Sequence, residues 1–300
     1  MNQASMTALV SLFARAYHAE HYDVKVFDDS LARALLSDEE YRQISHSMSG
    51  GISFFNPDFQ GSDADALRWI VDNQLSPSPL GRAAFAEQAL ERAAAIGARQ
   101  YLILGAGYDT FAYRCPAWAQ TLSVFEIDRA AAVEDKKRRL QRAGIAVPEQ
   151  LRFIQADFSQ PQWQTSLMEA PAFDREKISF CSLLGLIYYL SAHTFDALVA
   201  ALSSIVPKGS SLVFDYPDEN SGSERTEKQA QLASAAQEAM QADYSYEDME
   251  KILADHGFLI YEHLTPDEIT SQYFAAFNRT HPLHPMRAFD NVNYCLAVKQ

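Results

Sequence analysis

The chain has 300 residues, 48% hydrophobic and 21% charged, with 12 Gly and 12 Pro spread along its length. This is the composition of a globular protein near the size at which single cores stop growing (roughly 250 to 300 residues), and it excludes disordered or collagenous chains. Its 25 Lys and Arg against 39 Asp and Glu give a formal charge of −14, which repels a phosphate backbone and argues against a nucleic-acid partner, while a cationic ligand is weakly favoured.

Arg15, His18 and Glu20 interrupt the apolar positions of the first twenty residues, so no signal-peptide core is present, and no run approaches the roughly 20 apolar residues of a membrane span. Residues 1–98 read as helical, with Leu9, Leu12, Phe13, Ala16 and Tyr17, then Leu31, Leu35 and Leu36, at helical spacing. Turn chemistry is expected at Ser47-Met48-Ser49-Gly50-Gly51 and at Ser76-Pro77-Ser78-Pro79. From Gln100 short apolar runs alternate with amphipathic helices, the pattern of a doubly wound, mostly parallel sheet. The runs are 101–104, 122–127, 151–154, 178–183, 211–214, 258–264 and 292–298; helices are expected at 129–143, 160–169, 193–205 and roughly 224–255. The expected organisation is a helical cap over 1–98 and a seven-stranded α/β domain over 99–300, joined as one unit. Cys115, Cys181 and Cys295 form neither a disulfide framework nor a zinc spacing, which points to a reducing cytoplasm.

The most informative stretch is Tyr101-Leu102-Ile103-Leu104-Gly105-Ala106-Gly107-Tyr108-Asp109-Thr110, a buried strand running into a glycine turn that lets backbone approach a ligand closely. By itself G-x-G also fits a plain strand-to-helix turn. The second strand ends in Asp128, about 20 positions beyond the glycines, where ribose hydroxyls would lie. Glu126 shares its face by period-two alternation and is the competing carboxylate. The third strand leads to Ala156-Asp157-Phe158, a carboxylate for an adenine amine and a ring to cover the base; the alternative is that Asp157 caps a helix. A nicotinamide or flavin oxidoreductase shares these signals, but its fingerprint needs a third glycine where this chain has Thr110. S-adenosylmethionine carries no pyrophosphate and tolerates that change.

Together the motifs resemble the leucine carboxyl methyltransferase family, including its bacterial polyketide-type O-methyltransferases. Gly97-Ala98-Arg99-Gln100, Leu104 to Thr110, Ala112-Tyr113-Arg114, Phe125 to Asp128, Ala156-Asp157-Phe158, Gly185 with Tyr189-Leu190, and Pro207-Lys208-Gly209-Ser210 occur in the family's order. Phe27-Asp28-Asp29 with Leu31-Ala32 resembles its N-terminal segment, so the likeness spans nearly the whole chain. The resemblance implies a class I, Rossmann-like methyltransferase fold, S-adenosylmethionine as methyl donor, S-adenosylhomocysteine as product, and Arg82 on the methionine carboxylate. It also implies cofactor contacts from Gly105, Asp128, Asp157 and Phe158; Ala106 and Gly107 of the turn, Glu126 as the competing carboxylate and Leu184 before Gly185 complete the candidate set. Two positions depart from the family: Leu184 stands where many members have glutamate, and Phe111 where bacterial members have arginine.

Methyl transfer from a sulfonium is an in-line displacement that requires positioning of the acceptor. A carboxylate acceptor needs no base; a hydroxyl does, and His193 is the candidate, with His281 and His284 considered as well. His18 and His21 read as solvated, and no metal spacing is present. Tyr189, or its neighbour Tyr188, and Tyr273 are the substrate-side candidates; Tyr273, Phe274 and Phe277 share a helical face that could lid a pocket. The expectation is a cytoplasmic S-adenosylmethionine-dependent O-methyltransferase acting on a small molecule, with no nucleic-acid or membrane partner. Its rivals are an NAD(P)-dependent Rossmann oxidoreductase and a non-catalytic binding protein on the same fold.

Overall fold

The computed structural model describes residues 5–219, 222–236, 238, 240, 241 and 243–300. Seven strands, β1 (Gln100–Leu104), β2 (Ser123–Asp128), β3 (Leu151–Gln155), β4 (Ser179–Leu183), β5 (Ser211–Pro217), β6 (Phe258–Leu264) and β7 (Val292–Lys299), form one sheet in the order β3-β2-β1-β4-β5-β7-β6. β1 to β5 pair in parallel and β7 runs antiparallel between β5 and β6. The strand order reverses at β1 and β4, so a crevice opens at their carboxyl ends, where open α/β sheets bind ligands. This is the seven-stranded, doubly wound and mostly parallel sheet that the alternation of runs and helices implied.

The apolar runs are strands because both sheet faces are covered. Tyr101 and Ile103 of β1 join one core with Leu9, Leu12 and Phe13 of the helix Met6–His21 and Phe85 of the helix Pro77–Ala95. Leu102 and Leu104 join a second core with Phe195, Leu198 and Leu202 of the helix Ala192–Ile205 and Met249 of the helix Tyr246–Asp255. Residues on both sides of position 98 therefore share the first core, and Pro77–Ala95 packs on β4, β5 and β7.

Four expectations differ. Ser47 to Gly50 continue the helix Asp38–Gly50, which opens on a capping box at Ser37 and Glu40. Pro77 and Pro79 lie in the first turn of their helix, where a missing N–H costs nothing; a π-helical turn, Val71–Leu75, leads into it. The helix expected over 160–169 shrinks to the single turn Thr165–Met168, because Gln162 takes a left-handed φ of 64° and Ser159 turns back on Asp157. The long helix over 224–255 resolves into Glu224–Ala235 and Tyr246–Asp255. No described helix is long and apolar enough to cross a membrane.

Candidate cofactor site

The loop after β1 turns on two left-handed glycines, Gly105 at φ 68° and Gly107 at φ 46°, a region that side chains disfavour. Its amides are fixed from β2: Gly105 N–H and Ala106 N–H donate to the Ile127 carbonyl (2.8 and 3.3 Å), and Gly107 N–H donates to Asp128 Oδ2 (2.8 Å). The other oxygen of Asp128 accepts the Arg129 N–H at 2.7 Å. Two backbone donors thus aim the Asp128 carboxylate beside the glycine turn while it stays partly exposed. Glu126 shares that sheet face but is 1% exposed and ion-paired with Lys136 at 2.6 Å. Burial raises its pKa to about 7, against the pull of Lys136.

On the other side of β1, Arg82 projects from Pro77–Ala95 to the carboxyl ends of β4 and β5. Its Nη1 donates to Asp215 Oδ2 at 3.2 Å. Asp215 is fully buried and also accepts the Gly185 N–H (2.6 Å) and the Tyr188 hydroxyl (3.0 Å). Gly185 has φ 65°, and a Cβ there would overlap the Arg82 guanidinium, so the glycine makes the space the arginine occupies. Burial works against the arginine's charge, but Asp215 together with Tyr188 and Tyr294 offsets it and raises its pKa. Asp215 is the residue sequence reasoning missed; the one signal was a carboxylate continuing the apolar run 211–214. It also supplies a carboxylate beside the Leu184-Gly185 turn, where the family's glutamate is lacking.

Cap and glycine loop are fastened together by Asp29, which is fully buried. It accepts a charged bond from Arg15 and one from the Thr110 hydroxyl at 2.6 Å, with Arg114 Nε at 3.7 Å. Arg15 also donates to the Tyr108 carbonyl at 2.9 Å. Thr110, where a dinucleotide enzyme would need glycine, is therefore an anchor for the cap. Ala8 lies over Gly107, and Thr7 bonds Glu238 from the segment that follows β5.

The remaining candidates separate. Asp157 is exposed and its Oδ1 accepts from the Ser159 N–H and hydroxyl (3.0 and 2.7 Å), which lowers its pKa. Phe158 is half-buried, edge-on to Trp163. Leu184 is half-buried at the end of β4. Tyr188 points at Asp215, while Tyr189 lies near Thr7, Glu238 and Arg82, and burial raises its pKa. Tyr273 is not brought to this group: it packs on Phe85 with its hydroxyl on Gln88 (3.3 Å), towards the end of that helix that enters β1. Phe274 and Phe277 are fully buried core. His193 is exposed in the first turn of its helix. His281 stacks on Phe277, and no metal-binding cluster occurs among the described residues. His18, expected in solvent, is fully buried; its Nε2 accepts the Val26 N–H (2.9 Å) and burial lowers its pKa to about 4.

The sheet order and flanking helices are those of a class I methyltransferase fold, with a glycine turn at the switch point, a carboxylate at the end of β2 and a half-buried arginine at the ends of β4 and β5. The sequence model of leucine carboxyl methyltransferases matches residues 8–203. The chain is 39% identical over its full length, and over 99% of the relative, to YktD of Bacillus subtilis, named for S-adenosyl-L-methionine-dependent methyl transfer. The chain belongs to the leucine carboxyl methyltransferase family. Among solved structures, a DUF574 family protein from Streptomyces avermitilis aligns at TM-score 0.64 and 14% identity, covering 99% of this chain and 98% of that one. A Thermobifida fusca protein named as a methyltransferase aligns at 0.54 and 16% identity, covering 99% and 96%. These two likenesses show the fold.

Proposed function

We propose that this methyltransferase transfers the methyl group of S-adenosylmethionine to an oxygen of a small molecule and releases S-adenosylhomocysteine. The observation that carries the reading is the placement of Asp128 beside the glycine turn and of Arg82 at the carboxyl ends of β4 and β5, one charge suited to ribose hydroxyls and the other to an amino-acid carboxylate. The donor supplies an electrophilic methyl on a sulfonium, so that the O–C bond forms as the S–C bond breaks. Arg82, held by Asp215 in the space left by Gly185, binds and orients the carboxylate. Asp128 accepts the ribose hydroxyls, and Glu126 stays in its ion pair beneath. Asp157 and Phe158 serve the adenine, one through its remaining acceptor capacity and the other through its ring. Tyr189 borders the reacting centre, and Met6–His21 with Glu238 excludes water from it.

His193 lies exposed, so this reading favours an acceptor carboxylate, already ionised at neutral pH, over a hydroxyl that needs a base. A cytoplasmic location belongs to the same reading, supported by three free thiols. Titration calorimetry with S-adenosylhomocysteine should show saturable binding, and labelled methyl should move from S-adenosylmethionine into acids of a broad acceptor panel. Binding of NADH without S-adenosylhomocysteine would replace the reading by an oxidoreductase. Donor binding without transfer to any acid or hydroxyl compound would make the chain a binding protein.

A further inference from the structure

Three separately encoded segments meet in a cleft of about 340 Å³: the cap with Phe55, Trp69 and Asn73, the helix Glu224–Ala235 with Arg225 and Lys228, and the turn before β7 with Asp290. The π-helical turn Val71–Leu75 that forms one wall runs directly into the helix that carries Arg82. About 13 Å of helix axis separates Asn73 from Arg82, at 1.5 Å per residue.

Arg225 is the unusual member. Its guanidinium lies on the Phe289 ring, 3.9 Å from the centroid. It donates to three main-chain carbonyls, Nε to Asn73 (2.8 Å), Nη1 to Ala288 (2.9 Å) and Nη2 to Arg287 (2.9 Å). A guanidinium has five N–H donors, so two remain. Among the described residues no carboxylate stands within ion-pair distance of it; Asp290 acts on it only from farther off, and Glu224 is taken up by Lys228. Burial pulls its pKa down to about 10, so it is fully charged at neutral pH. The result is a fixed cation without a contacting anion, in an acidic protein, at the wall of a cleft that also presents Trp69 and Phe55. Planar, rigid donors of this kind match a carboxylate. With Glu224 and Asp290 in the same walls, one negative charge suits the cleft better than two.

We propose that this cleft holds the remote end of the methyl acceptor, a flat or aromatic portion that presents a single carboxylate to Arg225. The proposal rests on the methyl-transfer reading. It makes the acceptor bifunctional: the group at Arg225 is a handle, and the methylated oxygen lies at the other end of the molecule, near the glycine turn.

The probe is benzoate against uncharged benzyl alcohol, followed by ligand-observed NMR on the full chain, with S-adenosylhomocysteine titrated separately. Wild type should bind benzoate at least tenfold more tightly than the alcohol. Arg225→Gln should erase that preference and leave S-adenosylhomocysteine affinity within twofold. Asp290→Asn, at an exposed position where folding is not at stake, should tighten benzoate two- to fivefold by removing the neighbouring negative charge. No benzoate preference in wild type, a preference that survives Arg225→Gln, or unchanged benzoate affinity in Asp290→Asn overturns the proposal. Lost S-adenosylhomocysteine binding with the benzoate preference intact would instead refute the donor site.

Discussion

Arg82→Gln is the sharpest perturbation of the donor site because the consequences of removing the charge can be separated. The arginine's side chain is 18% exposed and its partner Asp215 is fully buried. A hydrogen bond to a charged group contributes about 1.5 to 3 kcal/mol, and each 1.4 kcal/mol is tenfold, so S-adenosylhomocysteine affinity should fall roughly 10- to 150-fold. Removing one partner of a buried ion pair costs about 3 to 5 kcal/mol of stability. Asp215 keeps the Gly185 N–H and the Tyr188 hydroxyl, and the glutamine amide can still donate, so a loss near about 3 kcal/mol is expected. Calorimetry with S-adenosylhomocysteine and with 5′-methylthioadenosine, which lacks the amino-acid moiety, reads the two roles apart, and urea unfolding reads stability. The thionucleoside should bind the variant within twofold of wild type. If both ligands weaken by the same factor, Arg82 shapes the pocket without meeting a carboxylate; unchanged S-adenosylhomocysteine affinity refutes the assignment outright.

Asp128→Ala should weaken S-adenosylhomocysteine by a similar 1.5 to 3 kcal/mol (about 10- to 150-fold) and leave the unfolding midpoint close to wild type. Glu126→Ala should instead lower stability by about 3 to 5 kcal/mol, because it strands the buried Lys136; the reverse pattern in calorimetry and urea unfolding would exchange the two carboxylates' roles. Gly185→Ala would force a side chain into φ 65° and into the Arg82 guanidinium, so it should cut S-adenosylhomocysteine affinity at least tenfold while sparing 5′-methylthioadenosine. Asp72 is fully buried, with the Tyr22 hydroxyl as its bonded partner, and burial raises its pKa to about 7. Unfolded, it ionises near pH 4, so the native state holds the extra proton between about pH 4 and 7 and stability falls there by about 1.4 kcal/mol per unit, then levels off. Asp72→Asn removes that slope. Urea unfolding at pH 5 and 7 should therefore show the variant gaining about 2 to 3 kcal/mol on wild type between the two, and parallel pH profiles would show that Asp72 stays ionised.

The strands were legible because a parallel sheet covered on both faces leaves an uninterrupted apolar run: 258–264 matches β6 residue for residue, and β1 differs only by Gln100 at its start. Helix boundaries in the cap were less so, since burial carries Ser47 to Gly50 on as helix and two prolines fit a first turn as readily as a loop. Gln162 could not be foreseen, because nothing local announces a left-handed glutamine.

At the site, legibility followed sequence distance. Asp128 and the glycines lie about one strand-helix-strand unit apart and announce one another, as nucleotide sites do. Arg82 and Asp215 are 133 positions apart, and Thr110 and Asp29 are 81 apart; what joins each pair is a buried carboxylate that needs donors, which single-sequence periodicity does not register. Thr110 shows the consequence. Its side chain argued against a pyrophosphate in the sequence, and in the structure the same hydroxyl ties the cap to the donor loop through Asp29 and Arg15. The feature that separates this chain from dinucleotide enzymes thus also fastens Met6–His21 over the glycine turn. A glycine there would remove the Asp29 hydrogen bond to the loop and leave the bond from Arg15 to the Tyr108 carbonyl.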